Sequence, residues 1–272
     1  MIENFLIFTF YSPILDNMIL VGTSGFQHRD WTPVFYPRGL DPRLWLRYYS
    51  RRFGCCELAF TCYRLPEPSE IRGLAEESGG VLQFLFRVPF KMVEGKPEEG
   101  DLARKFAAAL WPLKESGQLC AVVARFDPGF EFIRDNFRQL CRLRDSLDGL
   151  ALVAEFGRTE WLTPRAARHL AAERISIACV DGGPQIADRT FYCATATPAY
   201  VRFQGRNSSR WIKGDGSAQH DYLYSRAELT AAVPEIRRLE QQAERVVVLM
   251  NNTWRGQAAL NAAMLLELLE IR

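Results

Sequence analysis

The chain of 272 residues has little excess charge and few histidines. Lys and Arg total 34 against 32 Asp and Glu, so the formal net charge is only +2 at pH 7. A near-neutral chain gives no general electrostatic reason to bind nucleic acid, although a local basic patch stays open. Three histidines are too few for a multinuclear zinc centre of His, Asp and Glu. These shortages exclude a histone-like protein and a histidine-rich metal site.

Paired cysteines are also missing. The seven cysteines are odd in number and contain no C-x-x-C pair, whereas disulfide frameworks are evenly paired and structural zinc sites use paired spacing. We therefore expect reduced thiols in a cytoplasmic protein, with Cys55 and Cys56 in the core. The hydrophobic fraction of 48% and the charged fraction of 24% are those of a folded globular domain. The composition leaves any cofactor unknown.

The N-terminus has neither a membrane span nor a recognisable secretion signal. Residues 1–17 are apolar but lack a basic leading region and a small-residue cleavage site, and Ser12, Pro13 and Asp16 interrupt the run. We expect a peripheral extension over residues 1–17, a single domain over residues 18–272, and no membrane partner. A chain that starts at Met18 should then be as stable as the full chain.

Short apolar runs recur along the rest of the chain. Several are continuous rather than alternating, which is typical of strands buried on both faces of a parallel sheet. The predicted strands are Ile19–Gly22, Cys56–Phe60, Leu82–Val88, Leu119–Phe126, Leu150–Phe156, Ile175–Val180, Tyr200–Phe203 and Val246–Met250.

Amphipathic segments separate these runs, and only residues 181–199 lack a clear helical pattern. Pro42, Thr163 and the Ser225–Glu228 capping box mark helix starts. The predicted helices are Asp41–Phe53, Pro68–Glu77, Asp101–Glu115, Glu131–Ser146, Thr163–Arg174, Ser225–Glu244 and Gly256–Ile271. Eight β units predict an α/β fold, a (β/α)8 TIM-like barrel, which typically has about 250 residues. A doubly wound sheet is the rival, but residues 22–25 do not supply its G-x-G-x-x-G loop.

Polar and charged residues gather just past the predicted strands, where a barrel of this kind carries its functional face. The candidate ligand-binding residues are Thr23, Ser24, Tyr63, Arg87, Lys91, Arg125, Trp161, Arg202, Gln204, Arg206, Asn251 and Asn252. A buried arginine is costly unless it meets an anion, so the four arginines predict a bound phosphate or carboxylate. They equally fit an internal network with nearby carboxylates, and the sequence leaves both open.

Three carboxylates are the candidate catalytic residues: Glu57, Glu155 and Asp181. One of them would transfer protons if the pocket raised its pKa. Glu57 and Glu155 would also suit the acid and the nucleophile of glycoside cleavage, for which their separation decides the outcome. A divalent cation held by these groups and His28 is the weaker alternative, and we expect no metal.

Loop aromatics lie between these arginines, among them Tyr63, Trp161 and Trp211. Such rings suit stacking on bases or sugars, but most loop aromatics simply cover a barrel mouth. The polar, glycine-containing residues 207–216 are a candidate lid.

Six stretches of the chain resemble the YecE-like family, also called domain of unknown function 72. They extend over nearly the whole chain from residue 21 and read VGTSGFQHRDWTPVFYP (21–37), CELAFTCYRLPEP (56–68), EFGRTEW (155–161), YVRFQGR (200–206), HDYLYSRAEL (220–229) and VLMNNTWRGQAALNA (248–262). The resemblance implies a TIM-like barrel and carries no implied activity.

Several positions at the expected barrel mouth depart from the family pattern. The family has Asn in place of Ala59, an aromatic in place of Cys62 and Arg-His in place of Gly157-Arg158. It also has Gln in place of Arg125 and His in place of Gln204. The last change removes a group that titrates near neutral pH. Either the chemistry of the family does not use that histidine, or this member has altered or lost activity.

Three functions remain open. The first is an enzyme that acts on a small anionic substrate, a sugar phosphate or a nucleotide, bound by Arg202, Arg206 and Lys91. The second is a protein that binds or processes nucleic acid, which the arginine and aromatic residues favour and the net charge does not. The third is a non-catalytic ligand-binding barrel. A pocket in which charged groups converge is the usual place for an active site, and this favours the enzyme over the other two functions.

Overall fold

Eight parallel strands close into a barrel in the computed structural model of the protein, which describes residues 18–95, 99–182, 190–207 and 220–271. Each strand pairs with its neighbours in sequence, and the first closes against the eighth. The strands are β1 (Ile19–Ser24), β2 (Cys55–Leu58), β3 (Gln83–Arg87), β4 (Leu119–Phe126), β5 (Leu152–Phe156), β6 (Ser176–Gly182), β7 (Ala199–Gly205) and β8 (Val246–Met250). All eight predicted strands and the predicted TIM-like barrel are confirmed.

Within the described residues, eight α-helices surround the barrel. They are α1 (Trp45–Ser50), α2 (Pro68–Glu77), α3 (Phe90–Val93), α4 (Glu99–Glu115), α5 (Arg134–Ser146), α6 (Pro164–Ala172), α7 (Arg226–Glu240) and α8 (Gln257–Leu268). The sequence did not predict α3. The helix expected over Asp41–Phe53 is divided, because a 3-10 turn at Pro42–Leu44 precedes α1. Residues 190–198, the described part of the β6–β7 connection, contain no helix, as predicted.

Side-chain caps fix where two of the outer helices begin. Ser225 and Glu228 form the predicted capping box at α7, with the Ser225 amide donating to Glu228 Oε2 at 2.8 Å. Thr163 Oγ1 accepts from the Ala166 amide at 3.3 Å at the start of α6. Each cap satisfies an amide that the first helical turn leaves without a partner.

Two separate apolar regions hold the barrel together. The larger lies between the strands and the helices and includes the fully buried Trp31, Tyr36 and Trp161. The smaller fills the barrel interior and includes Leu20 and Leu85. All seven cysteines lie within described residues and are free thiols. The parallel strands are therefore buried on both faces, which explains their continuous apolar runs.

Some predictions fall on residues that the structure does not describe. Residues 1–17, the predicted extension, lie outside the described residues, as do Trp211 and most of the lid candidate at 207–216. Among the helices that are described, none is long and apolar enough to cross a membrane.

Candidate functional site

The polar residues at the carboxyl ends of the strands fall into two groups, because successive side chains of a strand point to opposite faces. Apolar residues such as Cys55, Val153 and Leu249 face the barrel interior. On each strand, the side chain two or four residues after such an interior residue points to the same side, toward the barrel axis. These residues, which we call the axial cluster, are Ser24, Glu57, Arg87, Arg125, Glu155, Arg202, Gln204 and Asn251.

Glu57 is the most tightly held carboxylate of the axial cluster. Its Oε1 accepts from Arg87 Nε at 2.8 Å, and its Oε2 accepts from Arg202 Nη2 at 2.5 Å and from the Tyr200 hydroxyl at 2.7 Å. Burial raises the pKa of this carboxyl, but the charges of Arg202 and Arg87 outweigh burial and hold the pKa at about 2. Glu57 is therefore an ionised anchor whose two oxygens already receive three donors.

Arg202 joins both glutamates beneath the barrel mouth. Its side chain is completely buried, its Nε lies 3.0 Å from Glu155 Oε2, and its Nη1 donates to Ser24 Oγ at 2.7 Å. Burial lowers the pKa of the guanidinium, but Glu57 and the other acidic neighbours raise it above its ordinary value. Arg202 and Arg87 thus form the internal network that was one of the two alternatives from the sequence.

Glu155 is held by charge rather than by hydrogen bonds. Its Oε2 lies 3.0 Å from Arg202 Nε and 3.2 Å from Arg87 Nη2, yet both Glu155 Oε2 and Arg202 Nε are buried without a hydrogen bond. Burial raises the pKa of this carboxyl, while Arg87, Arg202 and Arg125 together bring it below its ordinary value. Glu155 is therefore ionised and held by ion pairs, whereas Glu57 also accepts hydrogen bonds.

Arg125 brings a third positive charge to the axial cluster. Its side chain is 49% exposed, its Nε lies 3.5 Å from Glu155 Oε1, and it donates no hydrogen bond to a described residue. Three guanidinium groups then face two carboxylates, Glu57 and Glu155, within the axial cluster. One positive charge is left over at the most exposed position, where an incoming anion would meet it.

Asp181 and Arg206 belong to a second group, which faces outward between β6, β7 and α7. Asp181 accepts from Arg206 Nε at 2.9 Å and Nη2 at 2.8 Å, from the Tyr224 hydroxyl at 2.9 Å and from Thr190 Oγ1 at 2.9 Å. Arg206 also pairs with Glu228 at 3.1 Å. Among the described residues, no hydrogen bond or ion pair joins Asp181 to the axial cluster. The structure therefore does not bring Asp181 together with the two glutamates.

Three further predicted residues are buried supports of the barrel. Trp161 is fully buried, stacks on Phe156 with centroids 4.1 Å apart and donates its indole N–H to the Phe130 carbonyl. Thr23 Oγ1 shares a hydrogen bond of 2.9 Å with the Tyr49 hydroxyl. Asn252 is also buried, and its Nδ2 donates to the Tyr222 carbonyl and Asn261 Oδ1, both at 2.8 Å.

The remaining predicted residues are two exposed side chains at the rim of the mouth and two amides of the axial cluster. Tyr63 is exposed on the loop after β2, and Lys91 is exposed on α3, after β3. Asn251 Nδ2 donates to Gln204 Oε1 at 3.0 Å, so these two amides bind each other. No group of three or more His, Cys, Asp or Glu residues in the described part of the chain is arranged to hold a metal ion.

Two functional neighbours were missing from the sequence-based site. Tyr200 lies two residues before Arg202 on β7, so the alternation that places Arg202 on the axis also places the Tyr200 hydroxyl against Glu57. His220 adjoins the cluster from the loop before α7: burial lowers its pKa, and the charges of Arg202 and Arg125 lower it further. The alternation of side chains along β7 could have identified Tyr200. No local pattern in the sequence predicts that His220 lies near the axial cluster.

Comparisons with known proteins agree with this fold. A sequence profile described as "Protein of unknown function DUF72" matches residues 20–272. UPF0759 protein YunF of Bacillus subtilis (strain 168) is 28% identical over 280 residues, which cover 93% of this chain and 95% of that protein.

Solved structures extend the similarity to three dimensions. A DUF72 family protein from Thermotoga maritima MSB8 is 32% identical with a TM-score of 0.83, over 93% of this chain and 99% of that one. A DUF72 family protein from Enterococcus faecalis V583, 22% identical, has a TM-score of 0.82 over 94% of this chain and 96% of that one, and shows the shared fold. With the profile matched from β1 to the C-terminus, the chain belongs to the DUF72 family.

Proposed function

We propose that the barrel mouth binds a small anionic, phosphorylated substrate, with Arg125 as the cation that contacts it and Glu155 as the carboxylate beside it. One observation carries this proposal: the half-exposed Arg125 guanidinium donates no hydrogen bond to a described residue and lies 3.5 Å from Glu155 Oε1. A guanidinium held in this way offers its remaining N–H groups to a phosphate or carboxylate in the paired geometry that such anions accept.

The other candidate cations are less available than Arg125. Arg87 and Arg202 are buried, at 11% and 0% side-chain exposure, and both are paired with the two glutamates. Arg206 is held by both oxygens of Asp181 on the outward face. Lys91 is exposed at the rim and suits a secondary contact.

Glu155 is the candidate for proton transfer among the three carboxylates. Glu57 has both oxygens occupied, and Asp181 faces outward. An anion bound to Arg125 would bring a like charge next to Glu155 and take up part of the guanidinium charge, and both effects raise the carboxyl pKa. Substrate binding would thereby turn Glu155 into a more effective base. This coupling supports an acid–base enzyme over a purely structural barrel.

A thermal-shift titration with inorganic phosphate and sulfate tests the proposal. We expect stabilisation that grows with the logarithm of anion concentration above the dissociation constant. The shift should be lost in Arg125→Gln and kept in Arg226→Gln, which removes the same charge from an exposed pair with Glu267 on the outer helices. A wild-type protein that shows no shift with either anion would refute the proposal. A shift with short DNA but not with phosphate would favour nucleic-acid binding instead.

A further inference from the structure

Two aromatic side chains at the barrel mouth are exposed as a pair. Tyr63 is 82% exposed and Phe90 is 44% exposed, and their rings pack edge to face with centroids 5.5 Å apart. The Tyr63 hydroxyl makes no hydrogen bond to a described residue. Phe90 packs against the tyrosine ring and leaves most of the tyrosine side chain exposed. A tyrosine held in this way presents a flat apolar face to solvent.

This pair lies in the same sector of the mouth as the arginines of the axial cluster. Tyr63 follows the 3-10 turn Phe60–Cys62 after β2, and Phe90 begins α3 after β3. Thr61 Oγ1 donates to the Arg87 carbonyl at 2.5 Å, which ties this turn to the end of β3. The neighbouring strand β4 carries Arg125 and pairs with β3 up to Arg87. Strands β2, β3 and β4 are neighbours in the barrel, so the segments that follow them carry the two rings in the same sector of the mouth as Arg87 and Arg125.

The residue before Tyr63 lies close to the axial cluster. Burial raises the pKa of the Cys62 thiol, the charge of Glu57 adds to that rise, and the charges of Arg87 and Arg125 oppose it. Cys62 directly precedes Tyr63, so the tyrosine follows a residue that lies within electrostatic range of both guanidinium groups. Lys91, which follows Phe90, is exposed and forms no ion pair with a described residue. The sector thus joins a stacking face to two exposed cations, Arg125 and Lys91.

We infer that this sector takes a nucleoside monophosphate, with the phosphate on Arg125 and the base stacked on Tyr63. The inference rests on the proposed function and names its substrate class. A nucleobase has the flat π face that stacks on tyrosine, and such stacking depends little on the identity of the base. The one leftover positive charge of the axial cluster suits one phosphate group better than a polymer, which would need a row of cations along its backbone.

Dissociation constants for inorganic phosphate, ribose 5-phosphate, AMP and UMP test this inference. In the wild type we expect both nucleotides to bind about 10-fold more tightly than ribose 5-phosphate, because only they carry a base that can stack. Tyr63→Ala should remove that advantage and leave phosphate affinity unchanged, whereas Tyr63→Phe should keep it. Because Tyr63 is so exposed, the alanine variant should retain the wild-type melting temperature.

Control variants separate this inference from the proposed function. Trp111 is 48% exposed on α4, near the helix end that leads into β4, and Trp111→Ala should bind all four ligands as the wild type does. Arg125→Gln should weaken all four. If no ligand binds the wild type, the proposed function itself fails. If phosphate binds but AMP gains nothing from Tyr63, the anion site stands and the nucleotide inference is wrong. Tighter, Tyr63-dependent binding of a short DNA strand would also overturn it, in favour of a polymer.

Discussion

Glu155 Oε2 lies 3.0 Å from Arg202 Nε, and neither atom has a hydrogen bond. The same guanidinium donates from Nη2 to Glu57 at 2.5 Å. One arginine therefore serves two carboxylates in different ways, fixing Glu57 by hydrogen bonds and stabilising Glu155 by charge. This difference is the reason for expecting Glu57 to stabilise the barrel and for proposing that Glu155 responds to a ligand.

Glu57→Gln should lower the free energy of unfolding by about 3 to 5 kcal/mol, because it removes one of the two carboxylates that two buried guanidinium groups share. Chemical denaturation of the wild type and the variant measures the difference. Glu267→Gln is the matched control. The side chains of Glu267 and Arg226 form an ion pair and are 61% and 57% exposed, so this substitution should lower the free energy of unfolding by at most about 1 kcal/mol. Equal losses in the two variants would show that the axial cluster does not stabilise the fold.

Acid should destabilise the protein through Glu57. Folding lowers the pKa of this carboxyl from its ordinary 4.5 to about 2, so the unfolded chain binds the proton more readily. The stabilisation is complete above the ordinary value and is lost as the pH falls from there toward 2. Unfolding free energies at a series of pH values should fall more steeply in the wild type than in Glu57→Gln. Parallel curves would contradict the ionised state of Glu57.

Asp181→Asn should reduce stability without affecting anion binding. The substitution weakens the pair with Arg206 and the hydrogen bond from Tyr224, and hydrogen bonds to charged groups contribute about 1.5 to 3 kcal/mol each. Anion affinity should stay at the wild-type level, because this group faces outward. Denaturation and a phosphate titration on the same sample check both expectations. Loss of phosphate binding in a variant of normal stability would place Asp181 in the functional site after all.

The fold could be predicted because each of its strands is visible in a short stretch of sequence. Each strand is a short apolar run, and eight such runs at barrel spacing identify the architecture without any tertiary information. The helix Phe90–Val93 escaped prediction because four residues are too few to display helical periodicity. The charged ends of the strands were also visible, since polar residues directly follow apolar ones at Glu57, Arg87 and Arg202.

The sequence could not show which face each polar residue occupies. Val180 packs with the interior residues, so its neighbour Asp181 points outward, where the register between β6 and β7 also shifts. Trp161 reads as a mouth aromatic but is buried by Phe156 and Phe130, and the second of these lies 31 residues away in the chain. Contacts of this kind follow from packing between distant segments, and a single sequence does not encode them in any short pattern.

Proton uptake on sulfate binding tests the central claim most directly, because sulfate does not itself titrate near pH 5. Calorimetric titrations at that pH, in two buffers of different ionisation enthalpy, measure the protons exchanged. We predict uptake by the wild type, because sulfate on Arg125 raises the pKa of Glu155. The Glu155→Gln variant should bind sulfate without that uptake. It retains His28 and His220, so proton uptake by either histidine would persist in the variant. Equal uptake in both proteins, or binding with no proton exchange in the wild type, would contradict a ligand site beside Glu155.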